Sequence, residues 1–259
     1  MQYDSHKKAA KILKEIDKNP SNYLIIHYSC ESFYDIKDGH TPRITSIAVY
    51  NFASAQTESF SLHKMAEKRG VKLNEIEERY DELEKLMLEE FFSYAKEHKE
   101  YTWIHWNMRD INYGFKAIEH RCSVLGGEPY KIEDAKKIDL SRLFIQYYGV
   151  RYIGHPRMEK LLERNGIKAK DFLSGNDEAI AFENKEYIKL HMSTLRKVDV
   201  FANLLNRAID NSLKVNSKWY EIYGLSPQGI FDYCKDKWWI QILVNILLLV
   251  IGAVIGNII

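Results

Sequence analysis

Residues 238–259 read WWIQILVNILLLVIGAVIGNII, 22 positions without a charged side chain. Such a run must find an apolar environment whatever the rest of the chain does. As a helix rising about 1.5 Å per residue it is roughly 33 Å long, enough for a hydrocarbon core of about 30 Å. The alternative, a core helix apolar on every face for six turns, is uncommon at a chain end. Trp238 and Trp239 stand where an interfacial aromatic belt lies, with Lys235 and Lys237 just outside it. Gln241, Asn245 and Asn257 are tolerable in a helix that pairs with another. Gly252 and Gly256 form a GxxxG pair that fits a homo-oligomer. The expectation is one C-terminal transmembrane helix over 238–259, with the lipid bilayer as a partner.

The basic residues precede the span, which places the N-terminal part in the cytoplasm of a single-pass, tail-anchored membrane protein. Residues 1–19 are charged and helical in pattern, without the apolar stretch of a secretory signal. Cys30, Cys122 and Cys234 are odd in number and scattered, as in a reducing compartment. Net charge is +1, so any binding of nucleic acid or lipid must be local. The sequence contains no P-loop, GxGxxG, HExxH, CxxC or serine-hydrolase elbow, which argues against NTPase, Rossmann, zinc and esterase readings.

Four regions follow: an N-terminal helix (1–21), an α/β domain (22–209), a linker with short helices (210–237) and the span (238–259). Pattern predicts helix over 4–18, strands over 23–29, 43–52, 57–62 and 101–106, and helices over 73–98, 110–122, 139–148, 156–165 and 185–209. Three strands, a helix, a strand and then helices describe an α/β fold with a mixed sheet flanked by helices.

Three carboxylates stand out. Glu31 follows the first strand on the same face as His27 and Ser29. Asp110 begins a predicted helix, where an Asp is also a good N-cap. Asp199 lies in a predicted core stripe of Leu195, Val198, Ala202, Leu205 and Ile209. A carboxylate there must be paired, protonated or metal-bound, and an ion pair is the simpler solution.

Taken together, over residues 22–209, these positions resemble the DEDD family of 3′–5′ exonucleases, which have a ribonuclease H-like fold. Ser29-Cys30-Glu31 takes the place of the family's first Asp-x-Glu. His105 to Asp110 (HWNMRD) is similar to its second motif, Lys137 to Leu143 (KIDLSRL) to its Asp-Thr-Leu segment, and His155 to Gly166 to the helix that follows. The resemblance implies a nuclease, a phosphodiester hydrolase in which Glu31, Asp110 and Asp199 hold two Mg²⁺ or Mn²⁺ ions about 4 Å apart. Ser29 departs from the bridging Asp, and Thr194 stands where the family has its general-base His. His191, one turn earlier, is then the candidate base, and His27 a ligand favouring the softer Mn²⁺. Ser29, Asn107, Arg109, Thr194 and Lys197 are the candidate substrate-binding groups, for nucleic acid or a nucleotide. The alternative is a catalytically inactive sensor of the same ligands, coupled to a membrane effector tail in a defence role.

Overall fold

β-branched and aromatic runs, punctuated by polar turns, build the centre of the molecule. The computed structural model describes residues 2–31 and 41–256. β1 (Tyr23–Cys30) pairs antiparallel with β2 (Ile44–Asn51), and β3 (Thr57–Ser61) pairs antiparallel with β2. β4 (Thr102–His105) lies parallel to β1, and β5 (Lys137–Asp139) parallel to β4. The result is a mixed five-stranded sheet in the order β3-β2-β1-β4-β5. One irregularity falls where β1 ends. Ser29 faces Ser46 but Cys30 faces Ile44, leaving Thr45 as the extra residue of a bulge; its Oγ1 donates to the Ser29 carbonyl at 3.1 Å.

The first helices are α1 (Gln2–Lys18), α2 (Leu62–Lys68), α3 (Tyr80–Glu97) and α4 (Phe115–Val124). Next come α5 (Leu140–Tyr148), α6 (Arg157–Asn165), α7 (Gly175–Glu183) and α8 (Tyr187–Ile209). The neck carries α9 (Trp219–Tyr223) and α10 (Pro227–Asp236), and the tail is α11 (Trp238–Gly256). Both faces of the sheet are covered. Leu24, Ile26 and Tyr28 pack towards α2, α3 and α4. Tyr23 and Ile25, on the opposite side of the pleat, pack towards α1, α5 and α8.

Several boundaries differ from the sequence reading. The predicted 73–98 helix opens as two 3₁₀ turns before α3 begins at Tyr80. The helix expected from Asp110 starts at Phe115, after a loop closed by an Arg109–Gly114 bridge. Only glycine fits there, because a Cβ on Gly114 would lie 2.6 Å from the Met108 carbonyl carbon and oxygen. β5, α2 and α7 were not expected. Cys30, Cys122 and Cys234 are free thiols.

The tail is one helix from Trp238 to Gly256, as expected over the described part of 238–259. No single helix among the described residues is long and apolar enough to cross a membrane; α10 and residues Trp239–Ala253 pass that test only together, as a pair bent by 101°. Residues 257–259 lie outside the described residues. Ile242 to Ile251 nonetheless present Leu243, Leu247, Leu249 and their neighbours to the exterior.

Candidate functional site

The odd residues at the end of β1 face α8, as alternation requires. His27 meets Phe201 edge-on at 5.5 Å, and Ser29 is 1% exposed opposite Ser46. Thr194 donates its Oγ1 proton to the Leu190 carbonyl at 2.9 Å. The Ser46 hydroxyl, 2.7 Å from Thr194 Oγ1, is then the donor of that pair. Thr194, fully buried, is therefore a bolt between α8 and β2 rather than the substrate-binding group expected from the sequence. Lys197 Nζ lies 2.7 Å from Glu178 of α7, with side chains 9% and 13% exposed. The Ser29 hydroxyl and His27 Nε2 are buried without a hydrogen-bond partner among the described residues. Burial, then the Lys197 charge, pushes His27 well below its ordinary range, so it is a neutral ring.

The three predicted acids do not share a site. Glu31 accepts from the Arg43 backbone N–H at 3.3 Å and from its Nε at 3.4 Å, and Arg43 continues to Glu77 at 2.7 Å. Asp110 is exposed in the loop before α4, and its Oδ1 accepts from the Asn112 N–H at 2.8 Å. Asp199 corrects the sequence reading most sharply. It is 49% exposed and pairs with Arg196 at 3.4 Å. The buried face of α8 is broad: it includes Val198, Ala202 and Leu205 of the predicted stripe as well as Leu190, Thr194, Lys197, Phe201, Leu204 and Ala208, with Asp199 outside it. At about 100° per residue, Asp199 lies about 180° from Leu190. Asp199 also raises the pKa of Tyr50, after burial. Tyr50 pairs with Ile25, five positions before Cys30. At about 3.3 Å per residue, that is on the order of 16 Å along β1 from the Glu31 end. Among the described residues no group of three or more His, Cys, Asp or Glu is placed to hold a metal ion. The residues do not fit a Mg²⁺ or Mn²⁺ pair, and no hydrolytic step follows from them.

His191 is also elsewhere. Its ring lies 4.9 Å from that of His63, and burial, then the neighbouring His63, lowers its pKa to about 3. Such a ring is a poor base near neutrality.

A different set converges where β4 and β5 end side by side, with His105 in register with Asp139. Asp139 caps α5, accepting from the Ser141 N–H at 2.9 Å and its hydroxyl at 2.7 Å. It also accepts from the Asn107 N–H at 3.2 Å and pairs with the Arg109 guanidinium. Burial alone raises this carboxyl, but those donors and nearby His105 outweigh it and lower its pKa. His105 Nδ1 accepts from the Met108 N–H at 3.1 Å, and burial lowers its pKa to about 4. Arg109, predicted to touch substrate, is thus engaged in holding Asp139, while Asn107 contributes its backbone N–H and keeps an exposed side chain.

His105, Arg109 and Asp139 line a crevice of about 450 Å³ together with Asp110, Asp134 and the cations Lys116, Lys137 and Arg142, so that of the three predicted acids Asp110 is the one at this site. Lys137 pairs with Asp134 at 2.9 Å and stands over the Phe115 ring. Lys116 and Arg142 are exposed and make no ion pair among the described residues. Ligands of parallel sheets gather at this end of the strands. The sequence carried a partial signal: the Asp139 segment was noted, but its flanking cations were not read as a site.

No protein-family model matches the chain, and no curated protein or solved structure is similar to it.

Proposed function

We propose that this protein is a membrane-tethered, exonuclease-like domain that binds the phosphates of nucleic acid or a nucleotide and does not hydrolyse them. The observation that carries the reading is the crevice beyond β4 and β5: of its carboxylates Asp139 is spent on Arg109 and Asp134 on Lys137, while Lys116 and Arg142 line it without an ion pair among the described residues and leave the lining, with Asp110, one positive charge in excess. Arginine and lysine in that state attract phosphate, and Arg142 offers a bidentate fork. The mixed sheet with helices on both faces is compatible with a ribonuclease H-like ancestry. The absence of a shared acid cluster among the described residues favours the inactive alternative over the hydrolase.

The tail supports the tether. A 101° bend suits α10 lying along a bilayer surface, with exposed Ile230 and Phe231, while α11 enters the apolar phase. Lys235 and Lys237 precede α11 as cytoplasmic charges should. Gly252 has open space where a Cβ would be, which leaves room for a second α11 in a homo-oligomer.

The test uses the full chain in maltoside micelles with end-labelled single-stranded DNA, RNA and mononucleotides, with Mg²⁺ or Mn²⁺. Saturable binding without trimming, weakened about tenfold or more in Lys116→Ala/Arg142→Ala, supports the reading. Metal-dependent trimming that disappears in Asp110→Asn would replace it with an exonuclease. Flotation with liposomes, lost on deleting 238–259, tests the tether.

A further inference from the structure

A second cavity, of about 810 Å³, lies where the neck folds back on α1 and on the end of α5. Its chemistry is opposite to that of the crevice. The wall is aromatic, with Tyr147, Tyr148, Trp219, Tyr223, Tyr233 and Trp239. Trp219 and Tyr233 stack at 4.9 Å, and Tyr223 meets Tyr233 edge-on at 5.4 Å. The geometry is held from both sides. His6 Nδ1 lies 2.6 Å from the Tyr147 carbonyl, which can only accept, so that nitrogen carries the proton. Burial, first among the influences on it, lowers the His6 pKa and leaves the ring neutral.

The electrostatics are negative. α5 ends at Tyr148, α8 at Ile209 and α10 at Asp236, and the lining takes residues from each of these ends. Helix C-termini carry partial negative charge and favour cations within about a turn. Asp210 and Asp236 add two carboxylates, and neither makes an ion pair among the described residues. Asp236 Oδ2 accepts the Tyr223 hydroxyl at 3.0 Å. Tyr148, 8% exposed, and Ser217 place on the same wall buried hydroxyls that have no hydrogen-bond partner among the described residues. Lys237 already stands over the Tyr233 ring at 5.9 Å, so the wall accepts a cation from within the chain.

Aromatic faces, two carboxylates, converging helix C-termini and unspent hydroxyls are the features that recognise an alkylammonium group. We propose that the neck cavity binds an organic ammonium, either a lipid headgroup or a free amine. The cavity is separate from the phosphate crevice, and the proposal does not rest on that site.

The probes are choline chloride and ethanolamine hydrochloride, titrated into the full chain in maltoside micelles. Intrinsic fluorescence reports, because Trp219 and Trp239 line the cavity, and sodium chloride at equal ionic strength is the control. The expected result is a saturable change. It should weaken at least tenfold in Asp236→Asn and in Tyr223→Leu, and tighten in Lys237→Gln, where the internal competitor is gone. Thermal melts of each variant establish that it is folded. In nanodiscs, a choline response in phosphatidylglycerol that is lost in phosphatidylcholine assigns the lipid headgroup; a response in both assigns a free amine. A change no greater than that with sodium chloride, or one unaltered in both Asp236→Asn and Tyr223→Leu, overturns the proposal.

Discussion

On the α3 side of the sheet, the buried Glu84 carboxylate accepts from the Ile44 N–H at 2.7 Å and from Arg121 at 3.0 and 2.6 Å. Arg121 spends its remaining donors on Asp81 at 2.7 Å and Thr41 at 3.3 Å. On the α8 side, His27 Nε2, the Ser29 hydroxyl and His191 Nε2 are equally buried and have no hydrogen-bond partner among the described residues. The first network is closed and leaves nothing for a ligand. The second consists of neutral groups, as burial without compensation demands. The contrast bears on what the Ser29 position could hold. A carboxylate at Ser29 would add a buried charge beside a seam whose lysine is already committed to Glu178.

Breaking the closed network should have the largest effect. Arg121→Met strips the buried Glu84 carboxyl of its cationic partner, and urea melts are expected to show a loss of about 3–5 kcal/mol. Replacing both, with Glu84→Gln added, should recover part of it.

Acid should then attack both sides. His105, with a folded pKa of about 4, and His191, about 3, bind fewer protons when folded than when unfolded. Both values are depressed, so stability rises with pH across about 4 to 6.5 and falls as pH is lowered through that window. A lowered value of this size makes His105 alone worth on the order of 3 kcal/mol at pH 4. Melts from pH 7 to pH 4 measure the total, and His191→Gln should flatten the slope.

Smaller effects sharpen the comparison on the α8 side. Ser29→Ala removes an unpartnered hydroxyl, and a change between neutral and about 1 kcal/mol of stabilisation is expected. A loss larger than about 1 kcal/mol would mean that the hydroxyl has a partner in solution. Asp199→Ala should lie within about 0.5 kcal/mol in the same melts, as for other exposed ion pairs.

The parts of the fold that sequence patterns reveal are those with a strong local signal. YLIIHYS and RITSIAVYNF read as strands because both faces are buried, and α1, α5 and α6 followed their apolar spacing. β5 is three residues, KID, and its strand character comes from pairing with β4, not from composition. Asp110 looked like a helix cap because its side chain does accept a backbone N–H two residues on, which is also how an Asx turn is made. The stripe read on α8 was the edge of a wider buried surface, and an error of that phase carried Asp199 from the outside to the core. The crevice cations gave little signal, since Lys116 and Arg142 meet only through the tertiary fold.

The most direct test of the account is the salt dependence of oligonucleotide binding by the full chain. Binding of a labelled single strand is followed across potassium chloride concentrations, for the wild type and for Lys116→Ala/Arg142→Ala. Each phosphate contact contributes about 0.7 to the slope of log K against log salt, so losing two should make it shallower by about 1.4. An identical slope in the two proteins would contradict phosphate binding at the β4–β5 crevice.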